Sequence, residues 1–250
     1  DNDVLNVVKF TVNGTDYLAG NAAVIAGKGT LVVRADGSFL FTPLANFNGA
    51  VTGVTYTVSD GVATDVGALS LTVLAVNDAP VSLDDTVVIL ENETAVGNVL
   101  DNDSDVEGTA LTVSEFTVAG DATVYAAGTP AVMTGKGTLN LAANGAWTFV
   151  PAANWNGVAP VITYKATDGA LSTTGTLTLT VTAVNDAPVA VADTATGTED
   201  TVLTGNVITN DSDVDGTTPR VASFAVTGVG SFTAGAVATI AGKGTLTIAA

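Results

Sequence analysis

The chain repeats itself at a spacing close to 108 residues, and this repetition limits its folds more than any other feature. The motif Asn-Asp-Ala-Pro at residues 77–80 returns at 185–188, which is 185 − 77 = 108 positions later. The motif Gly-Lys-Gly-Thr-Leu at 27–31 returns at 135–139 and again at 242–246. A unit of this length is a small domain, because solenoid units span only about 20–50 residues.

The spacing therefore predicts a string of similar domains. We expect a partial first repeat over residues 1–76, a complete second repeat over 77–184 and a partial third repeat over 185–250. Hydrophobic residues make up 47% of the chain, which is enough to form packed cores. No apolar run approaches the roughly 18 residues that a membrane span requires.

Charge and missing residue types exclude several function classes. Seven Lys and Arg face 25 Asp and Glu, a net charge of −18, so nucleic acid is a poor partner. The chain has no Cys, which rules out disulfides and thiolate zinc sites, and no His, which rules out His-based catalytic triads and His-bound metals. We therefore do not expect an enzyme.

Short strands and polar turns dominate the pattern. Residues 111–118 alternate between apolar and polar positions, and residues 138–149 form a predicted hairpin with Asn144-Gly145 at its turn. About seven strands per repeat, with turns every 8 to 12 residues, predict an all-β chain of tandem immunoglobulin-like antiparallel β-sandwiches. Aromatic residues recur at matching positions and are predicted to fill the cores: Phe10, Phe116 and Phe224; Phe47 and Trp155; Tyr56 and Tyr164.

Acidic residues are grouped in two matching runs. They read Asn-Asp-Ser-Asp-Val-Glu-Gly at 102–108 and Asn-Asp-Ser-Asp-Val-Asp-Gly at 210–216. Acids at alternate positions before a Gly are typical of the start of a calcium loop, and close carboxylates repel one another unless a cation lies among them. The run is not an EF-hand, because it lacks the Glu at position twelve. An Asp-rich turn that binds no ion is the alternative interpretation.

Several motifs together carry a family resemblance. Tyr-Lys-Ala-Thr-Asp-Gly at 164–169, the predicted strand 177–181 and Ala-Val-Asn-Asp-Ala-Pro at 183–188 resemble the end of a cadherin repeat. Residues 90–97 and Asp-Ser-Asp at 103–105 resemble its beginning. With Pro-Ala-Ala-Asn-Trp-Asn-Gly before residue 158, the whole unit is similar to the cadherin-like repeats of large bacterial surface adhesins of the type I-secreted, RTX-adhesin or biofilm-associated type. The Leu-Asp-Arg-Glu motif of animal cadherins and the glycine-rich RTX nonapeptides are missing.

The resemblance implies calcium as the cofactor at each joint between repeats. The implied ligands at the first joint are Asn77, Asp78, Asp103, Asp105 and Asp168. The implied ligands at the second joint are Glu91, Asn185, Asp186, Asp211 and Asp213. The expected function is that of a calcium-rigidified extender, secreted to the cell surface or extracellular matrix. Its expected partners are neighbouring repeats of the same or identical chains and a cell-surface or matrix ligand.

Two other functions remain open at this point. A glycan- or protein-binding module could use turns such as 154–157 to display ligands. The incomplete first and third repeats predict either a window on a longer polymer or a filament subunit whose copies complete one another by strand exchange, because exposed sheet edges pair readily.

Overall fold

The computed structural model describes residues 4–250, and these residues form β-strands and turns without a helix. The all-β prediction is therefore confirmed. Within the described range there is no helix with the length and apolar character needed to cross a bilayer. The described residues fall into two compact units. One unit comprises residues 4–81, Asp103–Leu111 and Thr167–Thr173, and the other comprises Ser82–Asn102, Thr112–Ala166 and Thr174–Ala250.

The described part of the first repeat, residues 4–76, has seven strands in two sheets. They are β1 (Asn6–Val12), β2 (Thr15–Leu18), β3 (Ala22–Ile25), β4 (Gly29–Val33), β5 (Phe39–Pro43), β6 (Gly49–Ser59) and β7 (Thr64–Val73). One sheet has the order β2-β1-β6-β7 and the other has the order β3-β4-β5. All neighbouring strands in these two sheets are antiparallel. Phe10, Leu31 and Val51 are fully buried in the core of this repeat.

The second repeat has ten strands. They are β8 (Asp85–Leu90), β9 (Ala95–Asn98), β10 (Thr112–Val118), β11 (Val124–Ala126), β12 (Ala131–Met133), β13 (Gly137–Leu141), β14 (Ala146–Pro151), β15 (Gly157–Val158), β16 (Ile162–Thr167) and β17 (Ser172–Thr182). One sheet has the order β11-β10-β16-β17-β15, with β8 added alongside β17, and the other has the order β12-β13-β14-β9.

The three strands beyond the expected seven have identifiable origins. Strands β8 and β9 belong to an opening segment, residues 82–102, which precedes the part of the repeat that aligns with residues 4–76. Strands β15 and β16 correspond to the single strand β6, and the chain is interrupted between them at Pro160, which has no backbone N–H to give to a sheet. Strand β8 pairs in parallel with β17, whereas β10–β11, β15–β17 and all pairs of the other sheet are antiparallel.

The predicted hairpin is confirmed. Strands β13 and β14 pair antiparallel, with Leu141 opposite Trp147, and Gly145 in the turn has a φ of 81° that favours glycine. The matching hairpin of the first repeat joins β4 to β5, with Gly37 at a φ of 82°. The same turn chemistry therefore directs the same hairpin in both repeats.

The third repeat has four strands in two hairpins. They are β18 (Ser223–Val226), β19 (Gly230–Thr233), β20 (Val237–Ile240) and β21 (Gly244–Thr247). Phe224 is half-buried and stacks on Phe232 with ring centroids 5.4 Å apart, as Phe10 does on Tyr17 in the first repeat. A corresponding pair, 5.2 Å apart, joins Phe116 to Tyr125 in the second repeat.

The recurring aromatic residues lie in or against the cores, as predicted. Phe10, Phe116 and Tyr164 are buried. The others are half-buried, namely Phe47, Tyr56, Trp155 and Phe224. These aromatic residues therefore recur because each repeat packs in the same type of sandwich.

Candidate metal centres at the two joints

Each linker between repeats pairs with the acidic loop that follows it. We call residues 77–81 with the acidic loop 103–108 the first joint, and residues 185–189 with the acidic loop 211–216 the second joint. At the first joint, the N–H groups of Val81 and Ser104 each donate to the other residue's carbonyl oxygen, over 2.8 and 3.0 Å. Val189 and Ser212 make the same two bonds, at 2.8 and 3.1 Å. The linkers are thereby held next to the carboxylates of these loops.

The central Asp of each loop shapes the turn. In the first loop, Oδ1 of Asp105 accepts hydrogen bonds from the N–H groups of Glu107 and Thr109, at 3.0 and 3.1 Å. Gly108 then bonds to the carbonyl of Asp105 and has a φ of 74°, the left-handed region that favours glycine. The closing Gly of the sequence motif is therefore needed for the turn itself.

The second loop repeats this turn. Oδ1 of Asp213 accepts from the N–H of Asp215 at 2.9 Å, and its Oδ2 accepts from the hydroxyl of Thr217 at 2.7 Å. Gly216 closes the turn with a φ of 76°. Asx-type bonds of this kind keep the short acidic loop in one conformation.

Three carboxylates meet at the second joint. One carboxylate oxygen from each of Glu91, Asp186 and Asp215 lies within 4.8 Å of the other two. Glu91 is only 2% exposed, although Glu is rarely buried without a charged partner. Its Oε1 accepts a hydrogen bond from the N–H of Val184 at 2.6 Å, and Oδ2 of Asp215 accepts one from the N–H of Asp186 at 2.7 Å. The two acids thus bind the backbone on both sides of Asn185.

The electrostatics of this group favour a cation. Two carboxylates about 4 Å apart repel by about 4 kcal/mol at an effective dielectric constant of 20. The two ion pairs found among residues 4–250, Lys9–Asp16 and Lys165–Glu115, use none of these three acids. Oδ2 of Asp186 is shut off from solvent and has no hydrogen-bond partner. An all-oxygen, negatively charged donor set of this kind fits a hard divalent cation such as Ca²⁺.

The first joint holds a different set of contacts. The side-chain amide of Asn77 donates to Oδ2 of Asp168 at 2.7 Å. This bond, followed by bonds from the N–H groups of Ala170 and Leu171, holds the pKa of Asp168 below its usual range, so the carboxylate is charged at neutral pH. Oδ2 of Asp105 is inaccessible to solvent and has no hydrogen-bond partner, as for Asp186 at the second joint.

The remaining predicted ligands take local roles in the structure. Oδ1 of Asp211 accepts from the N–H of Val191 at 2.8 Å, next to the bridge between Val189 and Ser212. The amide of Asn185 donates to the carbonyl of Asp186, and that of Asn77 donates to the carbonyl of Asp78. Asp103 is half-buried at the start of its loop. The ten predicted residues therefore lie at the two joints, but they do not all converge on one point.

The sequence prediction did not select two acids that take part in these contacts. Asp215 belongs to the three-carboxylate group, and its counterpart Glu107 accepts from the N–H of Asp78 at 3.3 Å. Both are the third acid of their run, and the alternating spacing of the acids could have identified them. The Asp-x-Asp motif of the resemblance covers only the first two acids of each run and therefore does not include them.

Family profiles match all three repeats. The bacterial cadherin-like domain matches residues 77–183, a cadherin-like domain matches residues 2–74, and the bacterial Ig domain matches residues 185–250. None of these is a catalytic family. No curated protein matches the sequence at a significant level.

Solved structures match the chain at low sequence identity. Repeats EC21–23 of human CDH23 align with 99% of this chain and 90% of their own, at 16% identity and a TM-score of 0.52. Drosophila N-cadherin EC1–3 aligns with 74% of this chain and 57% of its own, at 15% identity and a TM-score of 0.34. The endo-fucoidan hydrolase MfFcnA4, of glycoside hydrolase family 107, aligns with 73% of this chain at 20% identity and a TM-score of 0.29.

The chain spans about a quarter of the length of the hydrolase chains that it matches, 24% for MfFcnA4. The CDH23 match shows a shared fold. Three successive profile matches, together with the sandwich strands and the acidic joints, account for nearly all of the sequence. The chain consists of tandem cadherin-like and immunoglobulin-like repeats of the kind found in bacterial surface proteins.

Proposed function

We propose that this chain is a structural extender of a bacterial surface adhesin or extracellular matrix fibre, with joints that calcium makes rigid, and that it supports cell adhesion or biofilm formation. The observation that carries the proposal is the group formed by Glu91, Asp186 and Asp215. Its members come from the opening segment of the second repeat, the linker and the acidic loop of the third repeat. An ion held by all three would connect the repeats on both sides of the linker.

The proposed ion would act by neutralising charge. At the second joint, Glu91 and Asp186 would hold it together with oxygen atoms of the acidic loop 211–216, and at the first joint Asp105 and Asp168 would contribute. Bound calcium supplies the positive charge that lets these carboxylates stay close together. Without it, their repulsion favours conformations in which the linker and the neighbouring segments move apart.

The expected affinity suits an extracellular protein. Extracellular calcium modules bind with dissociation constants of about 10⁻⁴ to 10⁻³ M. At a calcium concentration tenfold above that constant, one site adds about 1.4 kcal/mol to the free energy of unfolding. This corresponds to a rise in melting temperature of roughly 5 to 10 °C for a domain of this size.

Thermal unfolding of the full chain tests the site. We expect calcium to raise the melting temperature relative to the same protein in chelator, and Glu91→Gln to remove most of that rise. Glu93→Gln is the matched control, because Glu93 lies in the same segment and is exposed. An equal calcium response in Glu91→Gln and wild type would contradict the assignment of Glu91.

Small-angle scattering tests the rigid joint. The maximum dimension and the flexibility of the full chain are measured in calcium, in magnesium and in chelator. We expect calcium to narrow the range of dimensions more than magnesium does, because magnesium loses its bound water reluctantly. Identical scattering in calcium and chelator would exclude rigidification even if calcium binds.

A second candidate function is filament assembly by strand exchange. In the first repeat, Phe39 is 49% exposed and Leu40 is 51% exposed on strand β5. The corresponding strand of the second repeat, β14, is covered by β9. The third repeat has a segment that corresponds to β9, residues 203–206, in which Leu203 is 54% exposed. In this proposal, that segment of one copy pairs with β5 of another copy.

Sedimentation of the full chain over a wide concentration range distinguishes the two candidates. Strand exchange requires a mass that rises with concentration and falls back when Phe39→Asp charges the acceptor strand. A monomer at every concentration would exclude strand exchange and leave the extender proposal in place.

A further inference from the structure

We propose that a cavity in the second repeat binds a neutral sugar residue. The cavity has a volume of about 320 Å³ and lies between the turn that joins β10 to β11 and the turn that joins β12 to β13. Asp121, Tyr125, Thr134 and Lys136 are among the residues that line it. Sites for small molecules have volumes of about 300 to 1,000 Å³, so this cavity has the size that one small ligand needs. The proposal goes beyond the extender function, because the cavity uses none of the joint residues.

The acid in the cavity comes from a turn that is longer in the second repeat than in the first. Between β1 and β2, Val12 pairs with Thr15, so a two-residue turn connects these strands. Between β10 and β11, Thr117 is the last residue of its strand to pair, and its partner is Val124. The longer turn contains Asp121. The hairpin itself forms with the shorter turn in the first repeat, so the added residues are not needed for the fold.

The carboxylate of Asp121 is fixed and charged. Its Oδ2 accepts a hydrogen bond from the hydroxyl of Tyr125 at 2.6 Å, and its Oδ1 accepts one from the N–H of Thr123 at 2.9 Å. These bonds, chiefly that of Tyr125, hold the pKa of Asp121 below its usual range. The ring of Tyr125 is itself held by stacking on Phe116. A carboxylate can accept about four hydrogen bonds, so Asp121 keeps acceptor capacity for a ligand.

The lysine in the cavity has a different environment from its counterpart in the first repeat. Both belong to the repeated Gly-Lys-Gly motif. In the first repeat, Nζ of Lys28 donates to the carbonyl oxygen of Ala50 at 2.7 Å, and Ala50 lies in the continuous strand β6. The residue that corresponds to Ala50 is Val158, which ends β15 two residues before Pro160. Lys136 is half-buried and lines the cavity together with Pro160.

The arrangement of charges favours a sugar over other small ligands. The two ion pairs among residues 4–250 include neither Asp121 nor Lys136, although both line the same cavity. A sugar hydroxyl both donates and accepts, so one ring can bond to the carboxylate, to the ammonium and to the hydroxyl of Thr134. Hydrogen bonds to charged groups are the stronger ones. Met133 and Pro160 give the cavity apolar surface for the C–H groups of the ring. The net charge of −18 disfavours an anionic ligand.

NMR of the full chain with ¹³C-labelled tyrosine rings tests the proposal. The ligands are the methyl glycosides of glucose, galactose, mannose and N-acetylglucosamine, with glycine as a zwitterion of similar polarity. We expect at least one glycoside to shift the Tyr125 signal with a dissociation constant of about 1 to 10 mM, a range that suits a single small ring. The signal of Tyr17, which stacks in the corresponding hairpin of the first repeat, is expected to stay in place. The shift should persist in chelator.

Two substitutions on different turns identify the cavity as the site. Lys136→Met keeps the length of the side chain and removes the ammonium, and Asp121→Asn removes the negative charge. We expect each to weaken glycoside binding about tenfold, the effect of losing one charge-assisted hydrogen bond. Lys28→Met is the matched control, because it removes the same lysine of the motif from the first repeat and is expected to leave binding unchanged. Melting temperatures show that each variant is folded.

The possible results separate clearly. A glycoside shift at Tyr125 that weakens in both Lys136→Met and Asp121→Asn, but not in Lys28→Met, supports the proposal. It is overturned if no glycoside moves the Tyr125 signal well above millimolar concentration, or if glycine alone does so. Binding that survives both substitutions in folded protein also overturns it, and so does binding that chelator abolishes. None of these results bears on the extender function, which the calcium response of the joints decides.

Discussion

The first and second repeats share one sequence pattern but bury it to different extents. Leu179 and Tyr164 of the second repeat are fully buried, whereas their counterparts Leu71 and Tyr56 are half-buried. The difference in exposure is larger on the second strand of the hairpin, where Trp147 of β14 is 3% exposed and the corresponding Phe39 of β5 is 49% exposed. The hairpin pairs that carry these residues recur in both repeats, with β4–β5 matching β13–β14 and β6–β7 matching β16–β17.

The opening segment of the second repeat explains the contrast. Strand β8 runs beside β17, placing Val87 opposite Leu179, and β9 runs beside β14, placing Gly97 opposite Trp147. The hydroxyl of Tyr164 lies 3.0 and 3.1 Å from carbonyl oxygens of this segment, those of Val99 and Leu83. The comparison shows that seven strands are enough to form the two sheets, but two further strands are needed to cover their open edges.

The largest expected difference between the repeats lies in their leucines. Replacing a fully buried Leu with Ala usually costs 2–5 kcal/mol, because it loses apolar burial and leaves a cavity. We expect Leu179→Ala to lower the free energy of unfolding of the second repeat by about 3 kcal/mol, and Leu71→Ala to lower that of the first by about 1 kcal/mol.

Tryptophan fluorescence during urea unfolding measures the effect of Leu179→Ala, because both tryptophans, Trp147 and Trp155, belong to the second repeat. Amide hydrogen exchange at Leu31 follows the first repeat. Equal losses in the two repeats would show that the opening segment does not determine how much these leucines contribute.

A glycine substitution gives the next largest effect and extends the comparison to the third repeat. A Cβ at Gly97 would collide with the indole of Trp147, whereas a Cβ at the corresponding Gly205 would meet open space. We expect Gly97→Ala to destabilise the second repeat by about 1–3 kcal/mol, since the packed indole must shift. Gly205→Ala should be neutral or slightly stabilising, because Ala reduces the freedom of the unfolded chain.

Thermal unfolding followed by tryptophan fluorescence checks Gly97→Ala, and circular dichroism of the full chain checks Gly205→Ala. Wild-type stability in Gly97→Ala would mean that β9 does not hold the indole in place. A large loss in Gly205→Ala would mean that its segment is packed in solution.

The sequence predicts the fold well where local chemistry decides it. The hairpin of the second repeat follows from Asn144-Gly145, and the burial of Phe116 follows from its alternating pattern. The parallel pairing of β8 with β17 could not be predicted, because residues far apart in the chain meet there. The sequence shows Pro160, but only the structure shows that this proline lies between β15 and β16 and interrupts the strand that is continuous as β6 in the first repeat.

The candidate site shows the same limit. The repeated acidic runs locate the joints, and Gly108 predicts the sharp turn that its φ of 74° shows. Which carboxylates meet is a matter of how the loop folds back on the linker. The alternating spacing puts Asp211, Asp213 and Asp215 in one loop, but only the bond to the N–H of Asp186 shows that Asp215 faces the linker.

The smallest expected effect concerns how the two repeats hold their first hairpin. Strands β1 and β2 are joined by the exposed ion pair of Lys9 and Asp16 at 2.6 Å. In the second repeat these positions are Glu115 and Val124, and Asp121 instead accepts from the hydroxyl of Tyr125 at 2.6 Å. The hydrogen bond from Lys9 is the main reason why the pKa of Asp16 lies below its usual range. The hydrogen bond from Tyr125 lowers the pKa of Asp121 in the same way.

The pH dependence follows from the signs of these shifts. Both Asp residues have a lowered pKa, so their contribution to stability is present above the ordinary value of 3.8 and is lost as the pH falls through the folded-state pKa. Hydrogen bonding to Asp121 raises the pKa of Tyr125 above 10.0, so the contribution of the tyrosine is present below pH 10.0 and is lost as the pH rises further. Lowering the pH therefore weakens both hairpins. Raising the pH above 10.0 weakens the hairpin of the second repeat, because Tyr125 then loses the proton that it donates to Asp121.

The substitution Asp121→Asn tests this assignment. Without the carboxylate, the neutral phenol loses its main stabilising partner, and the pKa of Tyr125 should fall toward the ordinary value for tyrosine. Titration of the tyrosine ring carbons by NMR measures the change, with Asp36→Asn as a control that removes an exposed turn acid of the first repeat. An unchanged Tyr125 titration in Asp121→Asn would mean that the bond between the two side chains does not persist in solution, and the two hairpins would then differ only in the ion pair of the first.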